Sequence, residues 1–286
     1  MSRQVTIIGG GVIGLCSAYY LNRQGHSVTV IEKGDITDGT SFGNAGYISP
    51  SHFIPLASPG TVSKGLKWML SSSSPFYIKP RWDWDLVKWL ICFRKNANER
   101  TVKHNAPHLN NILRLSRELT SQIKNDIGNS FHMEEKGCLM MFQTEGTEKH
   151  EKELAREAIQ FGLEPRVITG KEVQDLEPEV EVNVRGAVLY PTDCHLHPGE
   201  FMQALKEYLV RAGVNFQLHT AVTGFEKNSA KVLAVITDKG KFKTDELVIA
   251  AGSWLPVVAR WLDLRILLQA GKGYRITYPN MKTNLH

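Results

Sequence analysis

The clearest patterning lies near the N-terminus. Gln4-Val5-Thr6-Ile7-Ile8 is a short β-branched apolar run, which predicts a buried strand. It ends at Gly9-Gly10-Gly11-Val12-Ile13-Gly14, a G-x-G-x-x-G turn. Past the turn the period becomes helical, and a helix is expected from about Val12 to Asn22. Gly14 and Ala18 share one face of it and are small enough to let it lie close on a sheet. Gly25 punctuates the helix, and Ser27-Val28-Thr29-Val30-Ile31 predicts a second strand with Glu32 at its carboxyl end. Strand, glycine turn, helix, strand and terminal acid fall in register as a βαβ dinucleotide-binding unit.

Farther along, loops and helices are expected from Thr61 to Gly128. Ser71-Ser72-Ser73-Ser74-Pro75 breaks the chain, one helix covers Asp85 to Arg94, and a longer amphipathic one runs from about Asn105 to Asn125. Gly137-Cys138-Leu139-Met140-Met141-Phe142 reads as a strand, Glu148 to Phe161 as a helix, and Gly186-Ala187-Val188-Leu189-Tyr190 as another strand. His197-Pro198 opens a helix that continues through Tyr208. Val214 to Leu218 and Ala221 to Phe225 are strand-like, a hairpin follows from Lys231 to Phe242, and Leu247-Val248-Ile249-Ala250-Ala251-Gly252 is a strand ending in small residues.

Composition narrows this picture. With 286 residues, 42% hydrophobic and 22% charged, the chain can bury a substantial core, and neither disorder nor a disulfide-stapled miniature scaffold fits. The net charge of +5 is spread along the sequence and gives no argument for nucleic acid. The uncharged stretch from Val5 to Leu21 behind Arg3 could pass for a secretory leader, but Gly9, Gly10, Gly11 and Gly14 interrupt its centre, so strand, turn and helix fit better. No apolar run is long enough for a membrane-spanning helix.

Cys16, Cys92, Cys138 and Cys194 form no C-x-x-C pair and read as reduced thiols of a cytoplasmic protein. Asp193, Cys194, His195 and His197 are ligand types, and on a strand the two histidines would share a face. No further ligand cluster accompanies them, so no metal site is expected. Trp68, Trp82, Trp84 and Trp89 lie beside Lys67, Lys79, Arg81 and Lys88. Buried packing or cover for a site is the preferred reading of these tryptophans, with a membrane-surface patch as the alternative.

The N-terminal residue types define a chemistry. Glycines let the backbone approach a pyrophosphate, and the free N–H groups and dipole of a helix N-terminus favour its negative charge. Glu32 can accept both ribose hydroxyls and repels a 2′-phosphate. FAD and NAD share this half-site. The following loop, Asp38-Gly39-Thr40-Ser41-Phe42-Gly43-Asn44-Ala45-Gly46-Tyr47-Ile48-Ser49-Pro50, is small, polar and rich in backbone donors, and can follow an extended pyrophosphate and flavin ring.

The fingerprint from Val5 to Glu32 and the loop from Thr40 to Pro50 resemble the D-amino acid oxidase superfamily of flavoproteins. Gly65-Leu66-Lys67-Trp68-Met69-Leu70, Pro191-Thr192-Asp193-Cys194-His195 before Phe201-Met202-Gln203-Ala204-Leu205, and Gly271-Lys272-Gly273-Tyr274 resemble it in the same order. The resemblance implies an α/β fold, a Rossmann-like FAD/NAD(P)-binding domain with an inserted α+β substrate domain. The FAD domain would occupy 1–60 and 211–265, a helical segment packing on it 61–135, the substrate domain 136–210, and a truncated return to that domain 266–286. Its implied cofactor contacts are Gly9, Gly10, Gly11, Val12, Ile13, Gly14, Glu32, Lys33, Thr40, Ser41, Asn44, Ala45, Gly46, Tyr47, Val222, Ala250, Ala251 and Gly252. Val222 would meet the adenine through its backbone, and Tyr47 and Tyr274 are candidates for lining the substrate side.

The implied activity is FAD-dependent oxidative deamination of D-amino acids to 2-oxo acids and ammonia. Quinone or another acceptor would take the electrons, in a cytoplasmic enzyme with peripheral contact at the inner face of the membrane left open. No catalytic side chain is singled out. Family members continue beyond the Lys272-Gly273-Tyr274 segment, which makes a fragment or truncated product the expectation. Three alternatives stand beside it: a related enzyme of glycine, sarcosine or hydroxyproline, an FAD-binding fragment without activity, and a nicotinamide-dependent dehydrogenase.

Overall fold

The computed structural model describes residues 1–62, 65, 77–78, 81–229 and 231–276. The expected break at Ser71 to Pro75 and the segment from Leu66 to Leu70, including Lys67 and Trp68, lie outside the described residues, as does Lys79.

Strand β1 (Gln4–Ile8) pairs in parallel with β2 (Ser27–Ile31), and helix α1 (Val12–Arg23) connects them. Ile8 lies opposite Ile31 on one side and Ile249 of β12 (Glu246–Ile249) on the other. With β8 (Asn215–Gln217) the order is β12-β1-β2-β8, all parallel. Alternation along the strands divides the core between the two faces. Val5, Ile7, Val28 and Val30 pack with Leu15 and Tyr19 of α1 and with Met202, Leu205 and Leu209 of α6 (Pro198–Arg211). Ile8 and Ile31 point the other way, to Val235 of β10 (Val232–Thr237) and Val258 of α7 (Leu255–Arg260). β10 is the centre of an antiparallel sheet with β9 (Val222–Lys227) and β11 (Gly240–Lys243).

A second antiparallel sheet, β4-β6-β5, comprises β4 (Cys138–Phe142), β5 (Arg166–Thr169) and β6 (Gly186–Tyr190). Its Phe142, Val188 and Tyr190 pack on Ala155 and Ala158 of α4 (Glu145–Gln160). Short α5 (Gly170–Leu176) is started by a capping box in which Thr169 and Glu172 satisfy each other's backbone N–H.

Two helices follow one another, α2 (Trp84–Asn96) and α3 (Glu99–Ile127), and α3 contributes Ala106 to the core of the β4-β6-β5 sheet and Ile123 to the core of the parallel sheet. The long helix starts earlier than its hydrophobic pattern predicts, because Asn98 caps it by accepting from the Thr101 N–H and Pro107 is accommodated inside it. Near its end Asp126 takes up the Tyr19 hydroxyl and the Arg23 guanidinium, tying α3 to α1.

For Trp82 and Trp84 the expectation of buried packing is corrected here. Trp82 is 87% exposed and Trp84 63%, so neither is core. Trp89 turns inward, half-buried and stacked on Phe93 with ring centroids 5.0 Å apart. Among the described residues no helix is long and apolar enough to cross a membrane.

Candidate functional site

The glycine turn is built by crowding. Gly9 leaves β1 at φ +106°, and a Cβ on it would stand 2.4 Å from the Ala250 carbonyl oxygen. The Ala250 N–H donates to the Ile8 carbonyl at 2.8 Å, so β12 runs directly beside the turn. A Cβ on Gly14 would lie only 1.9 Å from the Gly9 carbonyl oxygen, which shows how closely α1 sits on the turn. Gly11 occupies the α1 N-cap with no side-chain cap, leaving first-turn N–H groups to be met from outside. One is already met: the Val12 N–H donates to Ser41 Oγ at 3.0 Å.

Glu32 closes the same cradle. Its carboxylate accepts from the Gly10 N–H at 2.7 Å and the Gly34 N–H at 2.9 Å. Its own backbone is fixed on both sides, by a bond from Glu32 N–H to the Gln217 carbonyl and one from Thr220 N–H to the Glu32 carbonyl, both 2.9 Å. Val222, two residues beyond Thr220, packs with Ala251 against the cluster of Ile8 and Ile31. Lys33 places Nζ 3.3 Å from the centroid of the Trp254 ring, just past Gly252. The structure thus brings Gly9 to Gly14, Glu32, Ser41, Val222 and Ala250 to Gly252 together around one end of the parallel sheet.

The loop of residues 40–47 is internally tied. Asn44 Oδ1 accepts from the Gly46 N–H at 2.7 Å, while its Nδ2 donates to the carbonyls of Ser41 at 2.8 Å and Thr40 at 3.3 Å. Gly46 adopts φ +77° against the Leu196 carbonyl, where a side chain would not fit. Ala45 and the outward-facing Ile13 are exposed at the rim. β3 (Tyr47–Ile48) then pairs antiparallel with β7 (Cys194–His195). Tyr47 and Tyr274 are 67% and 88% exposed, so core packing does not explain either. Arg275 donates to the Asn44 carbonyl at 3.3 Å and brings the segment of Tyr274 to this loop, but among the described residues the two rings do not pair.

The ligand-type residues after β6 separate. β7 stops at His195, and His197 instead caps α6, its Nδ1 accepting from the Glu200 N–H at 3.2 Å. The two histidines therefore do not share a strand face. Asp193 is fully buried and accepts from Ser51 N–H at 3.0 Å and Ser51 Oγ at 2.6 Å. Burial pushes its carboxyl above the usual range, partly opposed by the Ser51 bonds. Desolvation also raises the Cys194 thiol to about 11. Among the described residues no group of three or more His, Cys, Asp or Glu side chains could hold a metal ion.

Two residues of the site were not legible. Ile36, buried at φ +82°, lies under Gly10, whose Cβ would meet its Cγ1 at 2.8 Å, and it also lines a cleft of about 510 Å³ with Phe42 and Met202. Thr220 was missed because its link to Glu32 spans far-separated segments. An Asp35-x-Thr37 turn, with Asp35 Oδ1 accepting from the Thr37 N–H at 2.8 Å, was the available signal for the first.

A parallel sheet with a glycine turn, an uncapped helix N-terminus and an acid at the end of the second strand defines a Rossmann-like dinucleotide-binding class. The chain belongs to the DAO family of FAD dependent oxidoreductases, which matches residues 4–285. It is 35% identical over 278 residues to a D-amino acid dehydrogenase of Helicobacter pylori, covering 97% of this chain and 66% of that protein. The chain therefore spans about two thirds of the length of that relative. Among solved structures it is similar to glycine oxidase from Geobacillus kaustophilus, with TM-score 0.67 and 20% identity over 92% of this chain and 59% of that one. Glycine oxidase from Bacillus cereus gives TM-score 0.63 and 23% identity over 91% and 58%.

FAD, the cofactor of this family, fits the residues present. Gly9 and Gly14 let β12 and α1 close on the turn where any Cβ would strike backbone, and the first turn of α1, with no side-chain cap from Gly11, presents backbone donors beside it.

Proposed function

We propose that this chain is the FAD-holding part of an oxidoreductase that oxidatively deaminates D-amino acids. The observation that carries the cofactor side is the crowded Gly9–Gly14 turn closed by Glu32; identity to D-amino acid dehydrogenases supports the substrate side. When bound, FAD would supply the two-electron oxidant for removal of the substrate's α-hydrogen as hydride to flavin N5, and hydrolysis of the resulting imino acid would give the 2-oxo acid and ammonia.

The chain's own residues hold and orient. The backbone N–H groups of Gly11 and Ile13 would meet the pyrophosphate, aided by the helix dipole, beside the Val12 N–H that Ser41 already engages. Glu32 exchanges its bonds to backbone N–H groups for ribose hydroxyls, and Val222 offers backbone to the adenine. Thr40, Ser41, Asn44, Ala45 and Gly46 follow the cofactor, with Lys33 and Ala250 to Gly252 flanking it. Tyr47 and Tyr274 face the substrate side. A quinone or another acceptor takes the electrons, and peripheral membrane contact brings the enzyme to a lipid-soluble one.

The test is the visible spectrum of the FAD-loaded chain under nitrogen with separate D-amino acids, their L-enantiomers, glycine, sarcosine and hydroxyproline. Bleaching by D-amino acids is expected. Bleaching only by glycine, sarcosine or hydroxyproline replaces the substrate assignment, and retained flavin that no amine bleaches leaves a binding module.

A further inference from the structure

The chain that leaves the loop of residues 40–47 runs antiparallel to the residues that follow the turn after β6. The Leu196 N–H donates to the Gly46 carbonyl at 3.0 Å, His195 stands opposite Tyr47, and Cys194 stands opposite Ile48. These three are backbone contacts. The next one is made by a side chain: Asp193 accepts from the Ser51 N–H at Oδ1, 3.0 Å away, and from Ser51 Oγ at Oδ2, 2.6 Å away. Each oxygen of a fully buried carboxylate therefore bonds the same residue, just past the loop.

The link is anchored at both ends. The Asp193 N–H donates to the Tyr190 carbonyl at 3.2 Å, at the end of β6. Ser51 Oγ lies 3.0 Å from His52 Nδ1. With Asp193 ionised, the hydroxyl gives its proton to the carboxylate and accepts from the ring. A carboxylate taken out of water costs free energy unless hydrogen bonds replace the solvent. Closing the β6 turn needs only the backbone bond to Tyr190, so the buried acid is spent on Ser51.

We propose that Asp193 is the positioning residue of the cofactor loop: it holds Ser51 against the end of β6 and so keeps residues 44–47 in the arrangement that receives FAD. The inference rests on the reading above, in which that loop follows FAD. Asp193 acts through Ser51 and the short β3 strand, not on the cofactor itself.

The test has two parts on the full chain. Hydrogen exchange without FAD reads the tether, and FAD titration followed by visible circular dichroism reads its use. In Asp193→Ala both bonds to Ser51 are lost, so amides of residues 44–52 should exchange at least about tenfold faster while those of β1 and β2 keep the parent's rate. A loop that is competent about a tenth of the time raises the apparent FAD dissociation constant about tenfold, and the visible circular dichroism of bound flavin should change with it. Ser51→Ala keeps the backbone bond and removes only the hydroxyl. It should fall between the parent and Asp193→Ala, and it carries the test if Asp193→Ala does not fold. Asp193→Asn is the rescue: its Oδ1 still accepts from the Ser51 N–H, and its Nδ2 donates to Ser51 Oγ, which turns its proton to His52 Nδ1. It should restore most of the affinity and the parent's flavin spectrum.

Unchanged exchange across residues 44–52 in both loss variants overturns the tether. Faster exchange there with the parent's FAD affinity and flavin spectrum overturns the positioning and leaves Asp193 a residue that closes the fold. Loss of protection throughout, β1 and β2 included, with Ser51→Ala equal to the parent also overturns it. A parent that takes up no FAD overturns the cofactor reading and this inference with it, a result seen before any variant is compared.

Discussion

Gly14→Ala probes the packing that shapes the glycine turn. The added methyl would begin 1.9 Å from the Gly9 carbonyl oxygen, and contacts under 3.0 Å essentially never occur. Relief requires α1 to move by roughly 1 Å from β1, in a core close-packed enough that overpacking costs about 1–3 kcal/mol and sometimes more. Leu15, Ala18 and Tyr19 are fully buried on the same helix and would shift with it, so the upper end, about 3 kcal/mol, is expected. Gly25→Ala is the internal control. It also meets an unfavourable backbone, φ +83°, but nothing lies within 4 Å, so only the left-handed penalty of about 1–2 kcal/mol applies. Urea unfolding followed by circular dichroism measures both. A Gly14→Ala midpoint equal to the parent's, or a larger loss from Gly25→Ala, would refute the close approach of α1 to the turn.

Other expectations follow from the same geometry. Glu32→Gln keeps one oxygen for the N–H groups of Gly10 and Gly34 and turns a donor on the other, so FAD affinity should fall about tenfold or more by titration calorimetry; unchanged affinity would remove Glu32 from the cofactor. Leu205→Ala empties a fully buried position between α6 and the sheet and should cost about 2–5 kcal/mol in urea unfolding, whereas Val210→Ala on the exposed side should cost under about 0.5. The raised carboxyl of buried Asp193 holds its proton longer in the folded state. Its stability contribution is therefore greatest below the unfolded value of about 3.9 and declines as pH rises through the raised folded value. The stability of the parent relative to Asp193→Asn should accordingly drop with rising pH across that window, and a pH-independent difference would contradict the burial argument.

The βαβ unit was legible because its determinants are local. β-branched runs, a glycine turn and an acid at the strand end lie within one stretch, and β1, β2 and Glu32 stand where the pattern puts them. Elsewhere the controlling contacts are distant. β3 and β7 are two residues each and exist only because Tyr47 meets His195 and Ile48 meets Cys194 across the fold. The bond from Ser51 to Asp193 is equally invisible to periodicity. β5 was missed because Arg166–Thr169 is a short, largely exposed edge strand, although Thr169-x-x-Glu172 after it was a readable helix start. Burial of Trp84 was not to be read from composition, which says that the side chain is large and apolar but not which way a helix turns it. Its exposure follows from Leu86, Trp89 and Phe93 having taken the inward side of α2.

The most direct measurement is calorimetric titration of the chain with FAD and, separately, with NAD, using the parent and Glu32→Gln. If Gly9 to Gly14 and Glu32 form a flavin cradle, FAD binds one per chain, NAD does not compete, and the substitution weakens FAD. Binding of NAD in preference to FAD, or FAD binding that is indifferent to Glu32, would contradict it.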